Sequence, residues 1–370
     1  MTFCIITHVV HKQFNEDYFA YSPYVNEMNI WLKKVDKVVI VAPLEKRITN
    51  TIDKEYSHLD IEFIKVPHFS LIGIKNLFYS LIVLPQICFS IAKAMQKSDH
   101  IHLRLPGNMG LLGCIIQVFF PKKRKTAKYA GNWDPNSKQP FTYKLQKWIV
   151  SSTFLTKNMQ VLVYGEWPNQ SKNIKPFFTA TYCESEKEVV KEKSLNELIK
   201  FIFVGTLSSG KRPLYAIQLV ESLKQNGFDV QLDLYGEGVE FNALNEYIEI
   251  NKLDDFIFLK GNRTKNEMKE LYTKSHFLLL ASKSEGWPKV VAEAMFWGCL
   301  PLVTAVSCVP NMLENENRGL ILEINLKRDI EKIKNIISNT AEYQTKIKNG
   351  INWSRNYTID KFEAEISKLI

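Results

Sequence analysis

The sequence predicts an α/β protein that is built from two doubly wound domains. Its 370 residues suit two domains of ordinary size. In each half, short apolar runs typical of strands alternate with longer amphipathic stretches typical of helices, which is the pattern of a parallel sheet covered by helices. A stretch with a glycine and proline break and a dense charged run separates the halves. We therefore predict a first domain over 1–166, a linker over 167–197 and a second domain over 198–351.

The first half supplies six strands and four helices in alternation. The predicted strands are 3–10, 37–42, 61–66, 100–103, 126–130 and 161–164, and the predicted helices lie near 24–34, 74–95, 110–120 and 142–154. The ligand sites of such sheets lie at the carboxyl ends of the strands. No G-x-G-x-x-G follows the first strand, and Gly73 is the first glycine of the chain. The sequence therefore disfavours a dinucleotide-dependent dehydrogenase.

The second half repeats the pattern, with predicted strands at 200–204, 230–235, 256–260, 276–281, 300–304 and 319–322. A short helix is predicted to open at Asn311 and Met312. The last residues, 352–370, carry an apolar stripe at helical spacing. We expect them to form a terminal helix that packs either back on the first domain or wholly on the second.

The stretch 284–298 joins two predicted strands through a tight loop and a helix. Pro288 marks the first turn of this helix and Gly298 marks its end. The loop and the positive helix end offer backbone N–H groups to a phosphate. Glu285 lies in the loop, and Glu293 lies about 7.5 Å along the helix. Because carboxylates repel phosphate oxygens, these acids suit hydroxyl groups on either side of a phosphate, as in a nucleotide sugar.

The same stretch resembles the donor-site signature of the family-4 retaining glycosyltransferases. The resemblance rests on the spacing Glu285-x7-Glu293 with Gly286, Pro288, Ala294, Gly298 and Pro301 in register. It implies the GT-B fold, in which two Rossmann-like domains face each other across a cleft. It also implies that Glu285 contacts the transferred sugar and that Glu293 holds the ribose hydroxyls.

A second loop, 205–213, resembles another donor motif of this family. Gly205 follows the strand, and Lys211 matches the lysine that neutralises the diphosphate. Thr206 stands where the family usually has an arginine, so either Arg212 compensates or one cationic contact is absent. A lysine at a helix start is electrostatically unfavourable without an anion, which favours a phosphate-binding role for Lys211.

We assign catalysis to Glu285 and Lys211. By the resemblance, the turn after the third strand of the second domain, which follows the strand at 256–260, reads the base through its backbone. The other residues assigned to the donor site are Tyr235, Gly236, Asn262, Arg263, Gly286, Trp287, Pro288, Lys289 and Val290.

The acceptor side of the family lies in the first domain, where this sequence departs from the usual pattern. Its first loop is not glycine-rich, and the position of a frequent family histidine reads Ala130, Gly131 and Asn132. His8, Arg104 and Asn132 are our candidates for acceptor contacts. Arg104 matches phosphate geometry, so it either holds an anionic acceptor or is an ordinary surface arginine. For His8, a packing role in the core or at the rim is the competing interpretation.

Charge and composition bear on location. The net charge of +9 divides into +10 over residues 1–200 and −1 over 201–370. A basic patch at 122–128 follows an apolar run, and it is either a solvated face or a surface that attracts anionic lipid. The stretch 71–95 is interrupted by polar residues and proline, which predicts a buried helix rather than a membrane span.

Cysteine usage favours a reducing compartment, since the six cysteines lack C-x-x-C spacing. We expect a cytoplasmic protein without a signal peptide, peripheral on the inner face of the membrane if the basic half binds lipid. No recognised motif supports a nucleic-acid partner.

These observations predict a glycosyltransferase that moves a hexose-type sugar from a nucleoside diphosphate to an acceptor hydroxyl with retention of configuration. Asp-x-Asp is absent from the sequence, which fits chemistry without a metal or other cofactor. The expected acceptor is a glycan, free or lipid-linked, of bacterial surface polysaccharide biosynthesis. Two alternatives stay open: a nucleotide-sugar 2-epimerase of the same fold, and a non-catalytic subunit that binds the nucleotide sugar.

Overall fold

The computed structural model of the protein describes residues 1–45, 53–69 and 73–370, without the side chains of 74–77. The chain forms two compact units. Met1–Phe177 and Glu363–Ile370 make up the first unit, and Phe178–Phe362 makes up the second. Each unit is an α/β sandwich around a largely parallel sheet, which confirms the predicted Rossmann-like pattern in both halves.

The first unit contains one sheet with helices on its faces. Its elements in chain order are β1 (Thr2–Ile6), β2 (His11–Phe14), β3 (Asp17–Tyr21), α1 (Ser22–Trp31), β4 (Lys37–Glu45), β5 (Asp53–Glu55), β6 (Ile61–Val66), α2 (Ile74–Lys97), β7 (His100–Leu105), α3 (Asn108–Ile116), β8 (Arg124–Tyr129), α4 (Phe141–Ser151), β9 (Met159–Tyr164) and β10 (Ile174–Phe177). The strand order is β10-β9-β8-β7-β1-β4-β2-β3-β5, with β6 also beside β4.

The centre of this sheet is parallel and fully buried. Phe3 to Ile6 of β1 and Val38 to Ala42 of β4 have no exposed surface, because helices cover both faces of these strands. The two strands pair in register from Thr2 with Lys37 to Ile6 with Val41. The sequence predicted one strand over 3–10, but β1 ends at Ile6. The chain then turns into the antiparallel pair β2 and β3, which the sequence analysis missed.

Helix α2 corrects a second expectation, that of a buried helix. Residues 71 and 72 of the predicted stretch lie outside the described residues. From Ile74 to Lys97 the helix buries one side, including Ile87 and Ile91, in the core of the first unit. Its other side is exposed, as at Phe89.

The second unit has a six-stranded sheet with the order β13-β12-β11-β14-β15-β16, in which neighbouring strands are parallel. Its elements are β11 (Ile199–Val204), α5 (Pro213–Gln225), β12 (Val230–Tyr235), α6 (Phe241–Ile250), β13 (Ile257–Leu259), α7 (Lys265–Lys274), β14 (Phe277–Leu280), α8 (Lys289–Phe296), β15 (Leu300–Thr304), α9 (Val309–Leu313), β16 (Leu320–Leu322), α10 (Leu326–Ser338) and α11 (Thr340–Ser354). Helix α12 (Ile359–Ser367) begins in the second unit, and its residues from Glu363 onward belong to the first unit. The six predicted strands are confirmed to within one residue at each end. The single terminal helix is not, since α11 ends at Ser354 and α12 follows.

The charged run that was assigned to a linker contributes a structural lysine to the second unit. Lys193 Nζ donates to the carbonyl oxygens of Tyr272 (3.2 Å), Ser275 (2.6 Å) and Gly298 (2.7 Å). These carbonyls lie at the carboxyl ends of α7 and α8, where backbone acceptors lack partners within the helix. A cation also complements the negative ends of both helix dipoles. Lys193 thus joins two helix ends that flank β14.

We expect Lys193→Met to destabilise the second unit by about 2–4 kcal/mol, because it removes the lysine hydrogen bonds to three carbonyl oxygens, of which Tyr272 O keeps a bond from Ser275 N. The nearby Lys191 is exposed and serves as the matched control. Urea denaturation of both methionine variants measures the difference. Equal midpoints for Lys193→Met and Lys191→Met would contradict the structural role.

Candidate functional site

Five loops of the second unit meet at one edge of its sheet. They follow β11, β12, β13, β14 and β15, and the carboxyl ends of parallel neighbouring strands lie at the same edge. This arrangement brings together the residues that the sequence assigned to the donor site, although they are up to 88 positions apart between Gly205 and Glu293.

An ion pair lies at the centre of this edge. Lys211 Nζ donates to Glu285 Oε1, joining the loop after β11 to the loop after β14. The Glu285 side chain is 9% exposed and that of Lys211 is 28% exposed. Because water screens such a pair less than an ordinary surface pair, the two charges hold each other in place. The two residues predicted to be catalytic are therefore in direct contact.

Backbone contacts reinforce the junction between these two loops. Lys283 N donates to Gly210 O at 2.8 Å. Arg212 Nη1 donates to Ala281 O at 3.0 Å, and Arg212 itself adopts a left-handed conformation with φ of 51° immediately before α5. Thr206 is exposed. Two cations, Lys211 and Arg212, thus lie at the positive start of α5, where an anionic ligand would be favourable.

The glycines at this edge serve contacts between loops. A Cβ on Gly236 would lie 2.0 Å from Gly205 O, and φ of Gly236 is 140°. A Cβ on Gly238 would lie 2.3 Å from Leu207 O. The absence of a side chain at both positions lets the loop after β12 pack on the loop after β11.

Helix α8 begins at Lys289, one residue later than predicted, with Pro288 as its N-cap. No side chain caps its first turn, and that turn contains no acid. The Gly286 carbonyl accepts hydrogen bonds from Ser307 Oγ (3.0 Å) and Cys308 Sγ (3.2 Å). These contacts fix the loop that precedes the helix. Val290 follows Lys289 in the first turn and is half-buried.

Trp287 anchors the same loop from the opposite side. Its ring stacks near Trp353 with centroids 6.0 Å apart, and lies 5.4 Å from the ring of Tyr357 and 6.4 Å from that of Phe178. The side chain of Trp287 therefore packs in an aromatic cluster of the second unit. We therefore expect Trp287 to contact a donor only through its backbone atoms.

Both carboxylate oxygens of Glu293 accept hydrogen bonds from protein hydroxyls. Thr181 Oγ1 donates to Oε1 at 2.6 Å, and Tyr272 OH donates to Oε2 at 3.2 Å. Burial and the neighbouring Glu293 carboxylate raise the pKa of Tyr272 well above its ordinary value, so the phenol remains a donor at neutral pH. Each carboxylate oxygen has a second lone pair, which can accept from a ligand hydroxyl.

The turn after β13 contacts the end of β12. Gly236 N donates to Gly261 O at 3.0 Å, and the Arg263 guanidinium lies 5.8 Å from the centroid of the Tyr235 ring. Burial, with a smaller contribution from Asp233, raises the pKa of Tyr235 to about 12. Arg263 Nη1 also donates to Asn262 O at 2.9 Å. The turn that is predicted to read the base is thus held against Tyr235 and against the loop after β12, which contains Gly236.

In the first unit, a depression of about 500 Å³ lies at the carboxyl edge of the sheet. His8, which is exposed, lines it after β1, and Phe141 and Thr142 line it at the start of α4. A Cβ on Gly107 would lie 2.6 Å from His8 Nδ1, so the imidazole packs directly on this glycine. Of the three candidates for the acceptor side, His8 is the one that lines this depression.

Arg104 and Asn132 have other contacts. Arg104 Nη1 lies 3.0 Å from Glu27 Oε1, and the buried Lys128 Nζ lies 2.9 Å from the same oxygen. Arg104 is thus held within a buried ion-pair network, contrary to the surface-arginine alternative. Asn132 Oδ1 accepts from Asp134 N at 2.9 Å, which stabilises the turn after β8.

The sequence analysis missed four residues that hold the donor-site candidates. Thr181 and Tyr272 contact Glu293, and Ser307 and Cys308 contact Gly286. Thr181 lay in the stretch predicted as a linker, so no motif marked it. Ser307 and Cys308 directly follow a predicted strand at the carboxyl edge, and that position was a signal available in the sequence.

The comparison with known families matches most of the second unit of the chain. Residues 184–353 match the family described as glycosyl transferases group 1. An uncharacterized glycosyltransferase of Methanocaldococcus jannaschii is 26% identical over 152 residues, which are 41% of this chain and 42% of that protein. Another curated relative is matched over 46% of its length. The chain therefore spans less than half the length of the curated relatives it matches.

Two solved structures share the whole architecture. HepE from Anabaena, solved in complex with UDP and glucose, aligns with a TM-score of 0.68 at 12% identity, covering 99% of this chain and 98% of HepE. WaaG, a glycosyltransferase involved in lipopolysaccharide biosynthesis, aligns with a TM-score of 0.63 at 13% identity, covering 100% and 99%. At these identities the likeness shows the GT-B fold.

The loop after β12 packs closely on the loop after β11 at Gly236. We therefore predict that one added methyl group at Gly236 strongly destabilises the second unit. We expect Gly236→Ala to destabilise the second unit by roughly 3 kcal/mol or more, because the new Cβ collides with backbone and φ is unfavourable. Gly227→Ala is the matched control, since φ is 85° there and no heavy atom lies within 4 Å. We expect that control to lose only about 1–2 kcal/mol.

Thermal unfolding of both alanine variants measures the difference. If Gly236→Ala unfolded no earlier than Gly227→Ala, the close packing of the two loops would be refuted.

Proposed function

We propose that this protein transfers a sugar from a nucleoside-diphosphate sugar to an acceptor hydroxyl, with retention of anomeric configuration, since residues 184–353 match the glycosyl transferases group 1 family. The observation that carries the proposal is the ion pair of Lys211 and Glu285 at the carboxyl edge of the second sheet. It places a phosphate-binding cation and a hydroxyl-binding carboxylate in contact. A sugar phosphate carries both kinds of partner.

The pair suggests how donor binding proceeds. A diphosphate is a stronger partner for Lys211 than one carboxylate, since it offers more charge and more acceptor oxygens. When Lys211 turns to the diphosphate, the Glu285 carboxylate is released and can accept hydrogen bonds from the sugar hydroxyls. Binding of the phosphate and binding of the sugar are thereby coupled through one contact.

The chemical step gains from the same cations. As the bond between the anomeric carbon and the phosphate oxygen breaks, negative charge grows on the diphosphate. Lys211, Arg212 and the uncapped start of α8 stabilise that charge without reorganising. The departing phosphate oxygen takes the proton of the acceptor hydroxyl, which attacks from the same face of the sugar. No protein base is required in this scheme.

We propose a uridine diphosphate sugar as the donor, since HepE was solved with UDP and glucose. The turn of Asn262 and Arg263 would receive the base, and Glu293 would receive the ribose. For the ribose to bind, its hydroxyls replace or share the donors that Thr181 and Tyr272 now give to Glu293.

We propose a glycan of surface polysaccharide biosynthesis as the acceptor, on the cytoplasmic side of the membrane. Two observations support this acceptor. WaaG, which has a similar fold, is involved in lipopolysaccharide biosynthesis, and the first half of this chain is basic. The depression lined by His8 and the exposed Phe141 is the part of the first unit that suits an acceptor with sugar and apolar parts.

Glu285→Gln is expected to lower turnover by about 100-fold or more, because the amide is a weaker acceptor for sugar hydroxyls and no longer balances Lys211. Glu246→Gln, at an exposed acid of α6, is the control. Proton NMR of UDP-glucose and UDP-N-acetylglucosamine incubated with each protein, with and without a lipid-linked glycan extract, follows the donor.

The spectra separate the alternatives. A transferase yields free UDP and retains the α configuration in the product, whereas a 2-epimerase changes the sugar while it stays on the nucleotide. A binding subunit leaves the donor unchanged. Near-normal turnover of Glu285→Gln would refute the assigned role.

UDP is expected to raise the unfolding temperature of the wild-type protein, since a ligand at 100 times its Kd stabilises the native state by about 2.7 kcal/mol. Lys211→Met should weaken UDP binding about tenfold or more, through loss of a charge-assisted contact. Lys274→Met, at a surface lysine, should leave it unchanged. Thermal-shift titration measures both, and equal responses of the two variants would contradict the role of Lys211.

A further inference from the structure

Exposed apolar side chains cluster on one layer of the first unit. Helices α2, α3 and α4 cover the same face of the sheet, and α3 contacts both of the others. On these helices and on the segments that follow α3 and α4, the outward side chains that are 45–77% exposed are Phe78, Tyr79, Leu81, Ile82, Phe89, Ile115, Phe119, Phe141, Trp148 and Phe154. Exposed apolar residues of the second unit, such as Val239 and Ile250, lie on separate elements. A concentration of this kind marks an interaction surface rather than ordinary exposure.

Helix α2 shows the pattern most clearly. Phe78, Ile82, Pro85 and Phe89 follow one another at spacings of three and four, so they form one outward stripe. The stripe continues into the exposed Lys93, and Lys97 one turn further forms an ion pair with Glu62. The helix therefore presents an apolar surface that ends in positive charge.

The opposite side of α2 belongs to the core. Val83, Ile87, Ile91 and Ala94 pack against the sheet. Over Phe78–Lys97 the helix has a mean hydropathy of 1.5 and is long and apolar enough to cross a membrane, while a third of that segment is buried in the unit. Because the inner side holds the sheet, the helix can lie on a bilayer while the unit stays folded, but it cannot span the bilayer.

Charge on this layer has a single sign. The helices α2, α3 and α4 contain no Asp or Glu. Between residues 63 and 165 the sequence has 14 Lys or Arg and two acids, Asp99 and Asp134. Lys125 and Lys128 are buried and Arg104 pairs with a buried acid, so these three add little to the surface charge and eleven cations remain. A surface that combines exposed aromatic groups with excess positive charge suits an anionic lipid interface.

A basic depression lies where these helices end. A space of about 980 Å³ at the amino edge of the sheet is lined by five cations, Lys122, Arg124, Lys157, Lys172 and Lys175, and by one acid, Asp99. In the described part of the chain, none of the five forms an ion pair. Phe119 and Phe154, both 77% exposed, precede two of these cations by three residues each. Phosphate groups beside acyl chains would present the same pairing of charge and apolar surface.

We propose that the outer surface of α2, α3 and α4 docks in the interface of an anionic phospholipid bilayer, with the basic depression facing the phosphate groups. A second copy of the chain fits this surface poorly, since two strongly basic layers would repel each other. The proposal does not rest on the proposed enzymatic activity, because docking requires neither donor nor acceptor.

Vesicle flotation of the full chain tests the docking. The protein is expected to float with vesicles of phosphatidylcholine and phosphatidylglycerol (7:3), and much less with phosphatidylcholine alone. The double variant Ile82→Ser with Phe89→Ser should bind about tenfold more weakly or worse, since it removes two exposed apolar groups that docking would bury in the bilayer. Val239→Ser with Ile250→Ser, which alters exposed apolar residues of the second unit, should bind as the wild type does.

A second readout examines the charge and the depth of contact. Lys122→Gln with Arg124→Gln should reduce binding to the anionic vesicles, and salt at 1 M should do the same because it shortens the screening length to about 3 Å. The fluorescence of Trp148, obtained as the difference between wild type and Trp148→Phe, should shift to shorter wavelength when vesicles are added. Circular dichroism verifies that each variant is folded.

Three results would overturn the proposal. One is absence of flotation with the anionic vesicles. Another is equal flotation of the α2 variant and the second-unit control. The third is a change from dimer to monomer on Ile82→Ser with Phe89→Ser in sedimentation velocity, with vesicle binding unaltered, which would assign the surface to a second copy of the chain.

Discussion

The contact between Lys211 and Glu285 is the interaction on which the candidate donor site depends. A lysine just before a helix start is repelled by the helix dipole, so it needs an anion nearby. Glu285 supplies that anion from a loop 74 residues further along the chain. The pair lies at the edge where the strands of the second sheet end, and it holds the loops after β11 and β14 together before any ligand arrives.

This pairing also explains why the surrounding loops are so tightly constrained. Gly236 lies against the Gly205 carbonyl, Lys283 bonds to Gly210, and Ser307 and Cys308 bond to Gly286. Each of these contacts restrains the backbone of a loop rather than the side chain of Lys211 or Glu285. The side chains of Lys211 and Glu285 are then the parts of the edge that can exchange one partner for another without moving the loops. If this edge is the donor site that we propose, phosphate and sugar would bind with little reorganisation of the backbone.

The sequence predicted the elements of the fold well where its signal was local. Buried parallel strands such as β4 and β15 are continuous apolar runs, and the period of the helices was equally visible. The spacing of Glu285 and Glu293 could predict a candidate site because both residues lie on one strand-loop-helix unit. What the sequence could not show were partners distant along the chain. Thr181 bonds to Glu293 across 112 residues, and Arg104 pairs with Glu27 across 77. No periodicity encodes such pairs, since the packing of separate elements determines them.

Helix α2 shows a different limit of sequence analysis. Its apolar residues predicted burial, because a helix that is apolar all round normally lies in a core. The structure exposes half of it, and the missing information was which neighbours the helix has. Lys193 shows the opposite error. The charged sequence around it predicted a linker, but its ammonium group bonds to the ends of α7 and α8 inside the second unit. In both cases the sequence analysis interpreted the hydrophobicity or the charge correctly. It did not predict where in the fold the residues would lie. The exposed apolar side of α2 then calls for a nonaqueous neighbour, and the uniform positive charge of its layer restricts that neighbour to an anionic one.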